Sequence, residues 1–276
     1  MRSSRLTNKS TVNIGAMQTP LHFVRQGQGP VVVLSHALGC DLTMWDAVAT
    51  VLRDHYTVLS YDHRGHGRSP DLGTDYGIDA LAEDAATLIR SQAGAEPVHF
   101  VGLSMGAMTA QALGARHPKL VRSLVIANAA SHYESAARAL WQTRIDMVRS
   151  QGIGAVTEGA MQRWFSPEFR ADTAGGGAAR VAALRLVLES TAPGPYAAAC
   201  AAVAGIDLAA GNRLIDCPTL VIAGAKDEAT PPALSDAIVS QIPGARLASL
   251  PAAHLSAVEC PEAFAALLMQ FWSSSP

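Results

Sequence analysis

Residues 98–110, VHFVGLSMGAMTA, carry the most informative pattern in this chain. Their first six residues form a continuous apolar run, which predicts a strand that is covered on both faces, and the last six are typical of a helix. Between the two lies the pentapeptide Gly102-Leu103-Ser104-Met105-Gly106, which has the form G-x-S-x-G. A serine in this context occupies a sharp, strained turn that raises its hydroxyl above the carboxyl edge of a sheet. Ser104 is therefore the candidate nucleophile.

Short apolar runs alternate with longer helical stretches on both sides of this segment, which predicts an α/β domain with a mostly parallel sheet flanked by helices. Two further runs, 12–17 and 21–25, alternate between apolar and polar residues and are expected to form an antiparallel hairpin at the sheet edge, giving eight strands in all. The six other strand-like runs are Val31–Ser35, 56–61, Val98–Leu103, 123–127, 219–223 and Arg246–Leu250. The helical stretches are 44–52, 78–90, Met105–Arg116, 233–241 and 262–272.

The alternation is interrupted at residues 131–215, where Ala-rich helical stretches are separated by glycine and proline. The breaks include 174–179 (AGGGAA) and 191–195 (TAPGP). We expect this stretch to form a helical cap inserted between the sixth and seventh strands, with residues 1–130 and 216–276 forming the core. The glycine run at 175–177 lacks the preceding strand and the Lys-Ser/Thr pair of a phosphate-binding loop, which favours a connection within the cap.

The composition excludes several classes of protein. The 276 residues are 49% hydrophobic and 16% charged, with 21 basic and 23 acidic side chains, so intrinsic disorder and a basic nucleic-acid footprint are both disfavoured. No apolar run reaches the length of a membrane span, and the first twenty residues have no apolar core of the kind found in signal peptides. We therefore expect a cytoplasmic protein with no nucleic-acid or membrane partner, and no pattern in the sequence requires a cofactor or metal. The cysteines are scattered and form no metal-binding spacing: Cys40, Cys200, Cys217 and Cys260.

A serine nucleophile needs a base, and the base needs an acid that holds it. Asp227 lies in the loop after the predicted strand 219–223, and His254 lies in the loop after Arg246–Leu250. The chain order Ser, Asp, His, with each residue after its own strand, predicts a catalytic triad. Glu228 is the neighbour of Asp227 and an alternative acid, whereas Asn128, after the run 123–127, cannot hold a negative charge.

An oxyanion hole needs two backbone N–H groups that point at the developing negative charge. The residue after the nucleophile, Met105, is expected to supply one of them. Leu38, in the loop after Val31–Ser35, is the better candidate for the second, and Ala37 is the alternative. We expect His36 to hold this loop in shape through hydrogen bonds rather than to act as a second base.

Residues 61–69, YDHRGHGRS, permit two interpretations. Asp62, His63 and His66 could be imagined as a metal cluster. Gly65 and Gly67 instead favour a tight turn from strand to helix, and structural support of the sheet edge is the preferred interpretation.

The motifs H-A-L-G, D-x-R-G-H-G-x-S, G-L-S-M-G, G-x-x-D and A-H, in this order, resemble the α/β-hydrolase superfamily over nearly the whole chain. Shorter motifs are similar to those of 3-oxoadipate enol-lactone hydrolases of aromatic degradation: LGCDLTMW at 38–45, Trp141-x-x-Arg144, RWF at 163–165 and AHLS at 253–256. The chain departs from that family at Ser35-His36-Ala37-Leu38, at Ala107 and at Ala127-Asn128-Ala129. These changes leave the triad in place and bear on the substrate.

The resemblance implies a serine hydrolase that cleaves a small carboxylic ester or lactone through an acyl-enzyme, with an enol-lactone of aromatic catabolism as the expected substrate. Arg144, and secondarily Arg138, would offer a positive charge to an anionic lactone. Trp141, Trp164 and Phe165 would wall the pocket. The alternatives are a broad carboxylesterase, a cofactor-free haloperoxidase or perhydrolase with the same triad, and a ligand receptor built on the hydrolase fold.

Overall fold

The computed structural model describes residues 20–73 and 75–274 of the chain. Within them seven strands form one sheet in the order β1-β3-β2-β4-β5-β6-β7, and all neighbours pair in parallel except β1 with β3. The antiparallel edge expected at 21–25 is present as β1, whereas the expected strand 12–17 lies outside the described residues. The strands are β1 (Phe23–Gln26), β2 (Val31–Ser35), β3 (Thr57–Tyr61), β4 (Val98–Leu103), β5 (Val121–Ala127), β6 (Thr219–Gly224) and β7 (Arg246–Leu250).

The helices cover both faces of the sheet and form the long connection between β5 and β6. They are α1 (Asp46–Leu52), α2 (Ile78–Ala93), α3 (Met105–Arg116), α4 (Ser135–Gln151), α5 (Gly154–Trp164), α6 (Pro167–Ala171), α7 (Gly177–Ser190), α8 (Pro193–Ala204), α9 (Ala209–Asn212), α10 (Pro232–Gln241), α11 (Ser256–Glu259) and α12 (Pro261–Ser273). Two short 3-10 helices, Leu42–Trp45 and Pro118–Leu120, complete the described elements. None of the described helices is both long and apolar enough to cross a bilayer.

The sheet places the chemistry-bearing residues at one edge. Strands β3, β4 and β6 are buried along their whole length, which is why their residues are mostly apolar and do not alternate between apolar and polar. Because the carboxyl ends of parallel strands meet at the same edge of a sheet, the loops after β2, β4, β5, β6 and β7 converge there. In this order, the five loops contain Leu38, Ser104, Asn128, Asp227 and His254.

The turn between β4 and α3 is possible only because two glycines flank it. Ser104 has φ 56° and ψ −116°, a conformation that non-glycine residues rarely adopt. A Cβ atom on Gly102 would overlap the carbonyl of Gly106, and one on Gly106 would overlap the carbonyl of Ser35 in β2. The glycines of the G-x-S-x-G pattern therefore let the helix approach the sheet closely.

We expect the substitution Gly106→Ala to destabilise the fold by about 3 kcal/mol or more, because the new methyl group meets main-chain atoms that cannot move independently. Gly154→Ala is the matched control, since its Cβ would meet no atom within 4 Å and its φ is not positive. The control is expected to change stability by less than about 1 kcal/mol. Urea unfolding of both variants measures the difference, and equal stabilities would contradict this account of the turn.

The stretch that was expected to form the cap carries α4 to α9, and between β5 and β6 the described chain has no strand. Helix α4 packs against α8 and α5, and α5 packs against α7. The inserted helices also reach the core, since the Leu255 N–H, in the loop after β7, donates a hydrogen bond of 3.0 Å to the carbonyl of Trp164 at the end of α5. The insertion is therefore held directly against the loop that carries His254.

Candidate active site

Ser104 is held in place by main-chain hydrogen bonds on both sides of its strained turn. Its N–H donates to the carbonyl of Ala127 at the end of β5 (2.9 Å), and its own carbonyl accepts from the N–H groups of Ala107 and Met108 (2.9 Å each). The backbone thus fixes the residue between a neighbouring strand and the first turn of α3, where the helix dipole favours negative charge. The side chain of Ser104 lines a cavity of about 490 Å³.

His254 and Asp227 form a buried pair beside this cavity. The Nδ1 atom of His254 lies 2.9 Å from Oδ2 of Asp227, and the side chains are 5% and 0% exposed. Glu228, the alternative acid, lines the cavity but forms no hydrogen bond or ion pair with His254 within the described residues. Because Nδ1 contacts the carboxylate, Nε2 is the ring nitrogen of His254 that remains to accept a proton, and both His254 and Ser104 line the cavity.

Ser104 and His254 both line the cavity, but no hydrogen bond joins them in the described part of the chain. Catalytic hydrogen bonds between a nucleophile and its base are often long without substrate and shorten in the reacting complex. The structure therefore brings all three predicted residues to one place, with the acid–base contact already formed.

The Asp227 carboxylate is surrounded by hydrogen-bond donors. Besides His254, its Oδ1 accepts from the N–H groups of Ala229 (2.8 Å) and Thr230 (2.9 Å), and its Oδ2 accepts from the Thr230 hydroxyl (2.7 Å) and from Nδ2 of Asn128 (2.9 Å). Burial by itself would raise the pKa of Asp227, but His254 and these donors outweigh it and lower the pKa to about 2. The group is thus an ionised carboxylate at neutral pH.

Asn128 is a contributor that the sequence pattern did not indicate. It has a positive φ of 50°, and its Nδ2 donates both to Asp227 and to the carbonyl of Ala253 (3.3 Å). Its Oδ1 accepts a hydrogen bond of 2.6 Å from the Ser256 hydroxyl, which orients the amide. Its position directly after β5, at the carboxyl edge of the sheet, is the available signal, although as a possible replacement for the acid Asn128 has no charge to offer. The structure shows it holding the acid instead.

Two neighbouring main-chain N–H groups in the loop after β2, those of Ala37 and Leu38, differ in whether they form a hydrogen bond. The N–H of Ala37 donates to Sδ of Met44 at 3.4 Å, whereas the N–H of Leu38 has no hydrogen-bond partner among residues 20–73 and 75–274. Leu38 lines the cavity beside Ser104, and Met105 is the first residue of α3, where an N–H has no partner within the helix. These contacts favour Leu38 over Ala37 as the second oxyanion donor.

His36 makes the contacts expected of a residue that shapes this loop. Its Nδ1 lies 2.8 Å from the Ala37 carbonyl, and its Nε2 accepts a hydrogen bond of 2.9 Å from the His63 N–H. The ring is fully buried, and burial lowers its pKa, so it stays neutral. Both ring nitrogens are therefore used in holding the loop.

The segment 61–69 forms the tight turn that its glycines indicate. Asp62 is the centre of this turn: its Oδ1 accepts from the N–H of Leu42 (2.8 Å), and its Oδ2 accepts from the N–H of Arg68 (2.8 Å) and lies 2.9 Å from Nδ1 of His22. The described residues contain no group of three or more His, Cys, Asp or Glu side chains that could hold a metal. Asp62 thus ties the loop after β2 to the sheet edge.

The helical insertion contributes much of the cavity wall. Trp141, Arg144 and Trp164 line it as predicted, and the guanidinium of Arg144 lies 4.6 Å from the centre of the Trp141 ring, as a cation–π contact. Phe165, which the sequence predicts in this wall, is instead 1% exposed, lies outside the cavity lining and stacks on Phe169, with ring centres 5.6 Å apart. Its aromatic character serves packing beneath the wall.

Two arginines have roles that differ from the sequence-based expectation. Arg138 does not line the cavity, and its Nε donates to the carbonyl of Tyr133 at 2.8 Å. Arg163, which we had noted only as part of the RWF motif, lines the cavity together with Arg144. Burial and, after it, the positive charge of Arg144 lower the pKa of Arg163. The cavity thus holds two guanidinium groups close enough to repel each other.

The chain resembles known hydrolases over most of its length. A family model described as alpha/beta hydrolase fold matches residues 30–261. The chain is 34% identical over 251 residues to 3-oxoadipate enol-lactonase 2 of Acinetobacter baylyi, covering 90% of this chain and 91% of that protein. An enol-lactonase structure from Burkholderia xenovorans superposes with a TM-score of 0.86 at 33% identity, covering 92% of this chain and 96% of the other. A thermophilic esterase from Thermogutta terrifontis, with malate bound, gives a TM-score of 0.85 at 26% identity, covering 92% and 93%. The chain therefore belongs to the α/β-hydrolase fold family and is a hydrolase.

Proposed function

We propose that this hydrolase cleaves a small carboxylic ester or lactone through an acyl-enzyme on Ser104, and that an enol-lactone bearing a carboxylate is its substrate. One observation carries the proposal: His254, which lies 2.9 Å from the carboxylate of Asp227, lines the same cavity as Ser104 on its strained turn. That arrangement is the one a serine nucleophile requires, because the hydroxyl needs a base and the base needs a fixed acid.

The mechanism follows from these positions. The hydroxyl oxygen of Ser104 attacks the carbonyl carbon while His254 takes the hydroxyl proton, and Asp227 stabilises the resulting imidazolium. The N–H groups of Leu38 and Met105 hold the oxyanion of the tetrahedral intermediate. Its collapse breaks the bond to the leaving oxygen, which receives the proton from His254. Water activated by His254 then releases the acyl group from Ser104.

The charge of the cavity supports a substrate that carries a carboxylate. Neither Arg144 nor Arg163 forms an ion pair with an acidic side chain in the described residues, although both line the cavity. The lining also holds one acidic side chain, Glu228, which forms an ion pair with neither arginine. Two guanidinium groups that no ion pair occupies, in a partly enclosed site, are suited to bind an anion. The named activity of the Acinetobacter and Burkholderia relatives supports a lactone of this class.

Residues 131–215 act in this proposal as a cap over a core made of residues 1–130 and 216–276. The cap supplies Trp141, Arg144 and Trp164 to the cavity, and the core supplies Ser104 and His254. The acyl chemistry therefore belongs to the core, and the choice of substrate belongs mainly to the cap.

Replacing Arg144 by alanine is expected to lower kcat/KM for a carboxylate-bearing lactone by about 10- to 100-fold, because one charge-assisted hydrogen bond is lost. The rate with p-nitrophenyl acetate, which has no carboxylate, is expected to stay within about threefold of the wild type. Arg138→Ala is the control, since Arg138 lies outside the cavity lining. An equal loss with both substrates, or no loss with the lactone, would contradict the anion-binding role.

A substrate panel tests the proposed function as a whole. It compares a carboxylate-bearing enol-lactone, its neutral ester analogue, p-nitrophenyl esters of increasing length, and bromination with hydrogen peroxide. We expect the highest kcat/KM for the anionic lactone. A preference for neutral esters would favour a broad carboxylesterase, peroxide-dependent bromination above hydrolysis would favour a perhydrolase, and tight binding without turnover of any compound would favour a receptor.

A further inference from the structure

The carboxylate of Glu259 joins two segments that are distant in the sequence. Its Oε1 accepts hydrogen bonds from the N–H of Ser166 (2.8 Å) and from the N–H of Ala253 (3.3 Å), and its Oε2 accepts from the Ser166 hydroxyl (2.8 Å). Ser166 belongs to the inserted helices, and Ala253 directly precedes His254. No Lys, Arg or His side chain within the described residues forms an ion pair with Glu259. The carboxylate is thus used to bind main-chain and hydroxyl donors.

A second contact runs parallel to this one. The N–H of Leu255, the residue after His254, donates to the carbonyl of Trp164 at 3.0 Å. His254 is therefore bracketed by two links to the insertion, one through the preceding residue and one through the following residue. Trp164, at the other end of the second link, lines the cavity. The base and one wall of the pocket are fixed by the same short set of contacts.

The length of the Glu259 side chain lets its carboxylate reach two donors in different segments. Glu259 is the last residue of α11, and its carboxylate reaches back past the start of that helix to Ala253 and across to Ser166, which caps the N-terminus of α6. A shorter side chain could not reach both donors. A side chain of equal length without charge could keep the contacts, because an amide oxygen still accepts from both N–H groups.

From these contacts we propose that Glu259 is a positioning residue, which holds the His254 loop and the cap wall at Trp164 in one fixed arrangement. The proposal rests on the proposed function, since it assumes that His254 is the base. Glu259 is not among the residues that line the cavity. It acts through its hydrogen bonds with Ala253 and Ser166. We therefore expect a shorter side chain at position 259 to displace His254, and an uncharged side chain of equal length to leave His254 in place.

The test compares Glu259→Asp, which keeps the charge and loses reach, with Glu259→Gln, which keeps reach and loses the charge. With p-nitrophenyl acetate, we expect Glu259→Asp to lower kcat by roughly 10- to 100-fold with KM within about twofold, because small displacements of a catalytic group have effects of this size. Glu259→Gln is expected to retain kcat within about threefold. A purely structural role would lower the unfolding temperature or raise KM, without this split between kcat and KM and without rescue by glutamine.

Two further measurements separate the possible failures. Ser104→Ala is assayed alongside: if it retains turnover, the triad assignment fails whatever the Glu259 variants do. If Ser104→Ala is inactive while Glu259→Asp matches the wild type, or while Gln and Asp are equally impaired, the positioning role is refuted and the triad stands. Should Glu259→Asp fail to fold, amide hydrogen exchange of the wild type decides, because unprotected amides at Ser166 and Ala253 would refute the contact and slow exchange would support it.

Discussion

The substitution Ser104→Ala is expected to lower kcat by about four to six orders of magnitude, which is the usual effect of removing a nucleophile from a triad. The methyl group of alanine can occupy the strained turn as well as the serine did, so the fold should survive. The residual rate would come from binding and from the N–H groups of Leu38 and Met105 alone. Hydrolysis of p-nitrophenyl acetate, with unfolding temperature as a check on structure, measures the effect.

Ser240→Ala is the matched control for this variant, because Ser240 is an exposed serine of α10 whose hydroxyl donates only to the carbonyl of Ala237. It is expected to leave kcat unchanged. A Ser104→Ala enzyme that keeps more than a tenth of the wild-type kcat would show that the hydrolysis does not pass through this hydroxyl.

The substitution Asp227→Asn is expected to lower kcat by about 10⁴-fold at neutral pH. The amide can keep the shape of the contact with His254, but it cannot stabilise an imidazolium and permits the wrong tautomer of the imidazole. The amide also loses one acceptor oxygen in a site where Ala229, Thr230 and Asn128 all donate. The pH profiles of kcat for the wild type and for Asp227→Asn measure this effect.

Glu228→Gln is the control, since Glu228 is adjacent in sequence and lines the cavity but forms no hydrogen bond or ion pair with His254 among the described residues. We expect it to retain kcat within about threefold. If Glu228→Gln abolished turnover while Asp227→Asn did not, the acid of the triad would be Glu228 and the assignment made here would be wrong.

The fold could be predicted because its signals are local in the sequence. The strands β4 and β6 are buried on both faces and appear as unbroken apolar runs, and the glycines around Ser104 are required by close main-chain approach. The chain order of the proposed catalytic residues Ser104, Asp227 and His254 can also be predicted, since each follows its own strand. The strand expected at 12–17 lies outside the described residues, and the cytoplasmic setting stays a prediction.

The residues that sequence alone did not indicate act through partners that are remote in the chain. Asn128 contacts Asp227 across 99 positions, and Glu259 contacts Ser166 across 93. No periodicity or spacing encodes such a pair, because it depends on how the insertion and the loops pack together. Phe165 lies outside the cavity lining for a related reason: an aromatic residue in a motif can face the cavity or the core, and only the packing of the extended chain after α5 decides which.

Different parts of the molecule hold the proposed catalytic residues and line the cavity. Main-chain hydrogen bonds hold Ser104, and a cluster of donors surrounds Asp227. The His254 segment is contacted by the carboxylate of Asp227, from the loop after β6, and by that of Glu259, at the end of α11. The insertion adds guanidinium groups to the cavity without joining the triad. A change in the cap is therefore expected to alter which ester is cleaved while the acyl chemistry is retained.

Labelling with a fluorophosphonate tests most directly whether Ser104 is an activated nucleophile. The reagent bonds covalently to a serine that is deprotonated as it attacks, and peptide mass spectrometry locates the adduct. We predict one phosphonyl group per chain, on Ser104, with activity lost in proportion to labelling and with Asp227→Asn labelled much more slowly. Full labelling of another residue with loss of activity, or an unlabelled Ser104 in an enzyme that still turns over, would contradict the account.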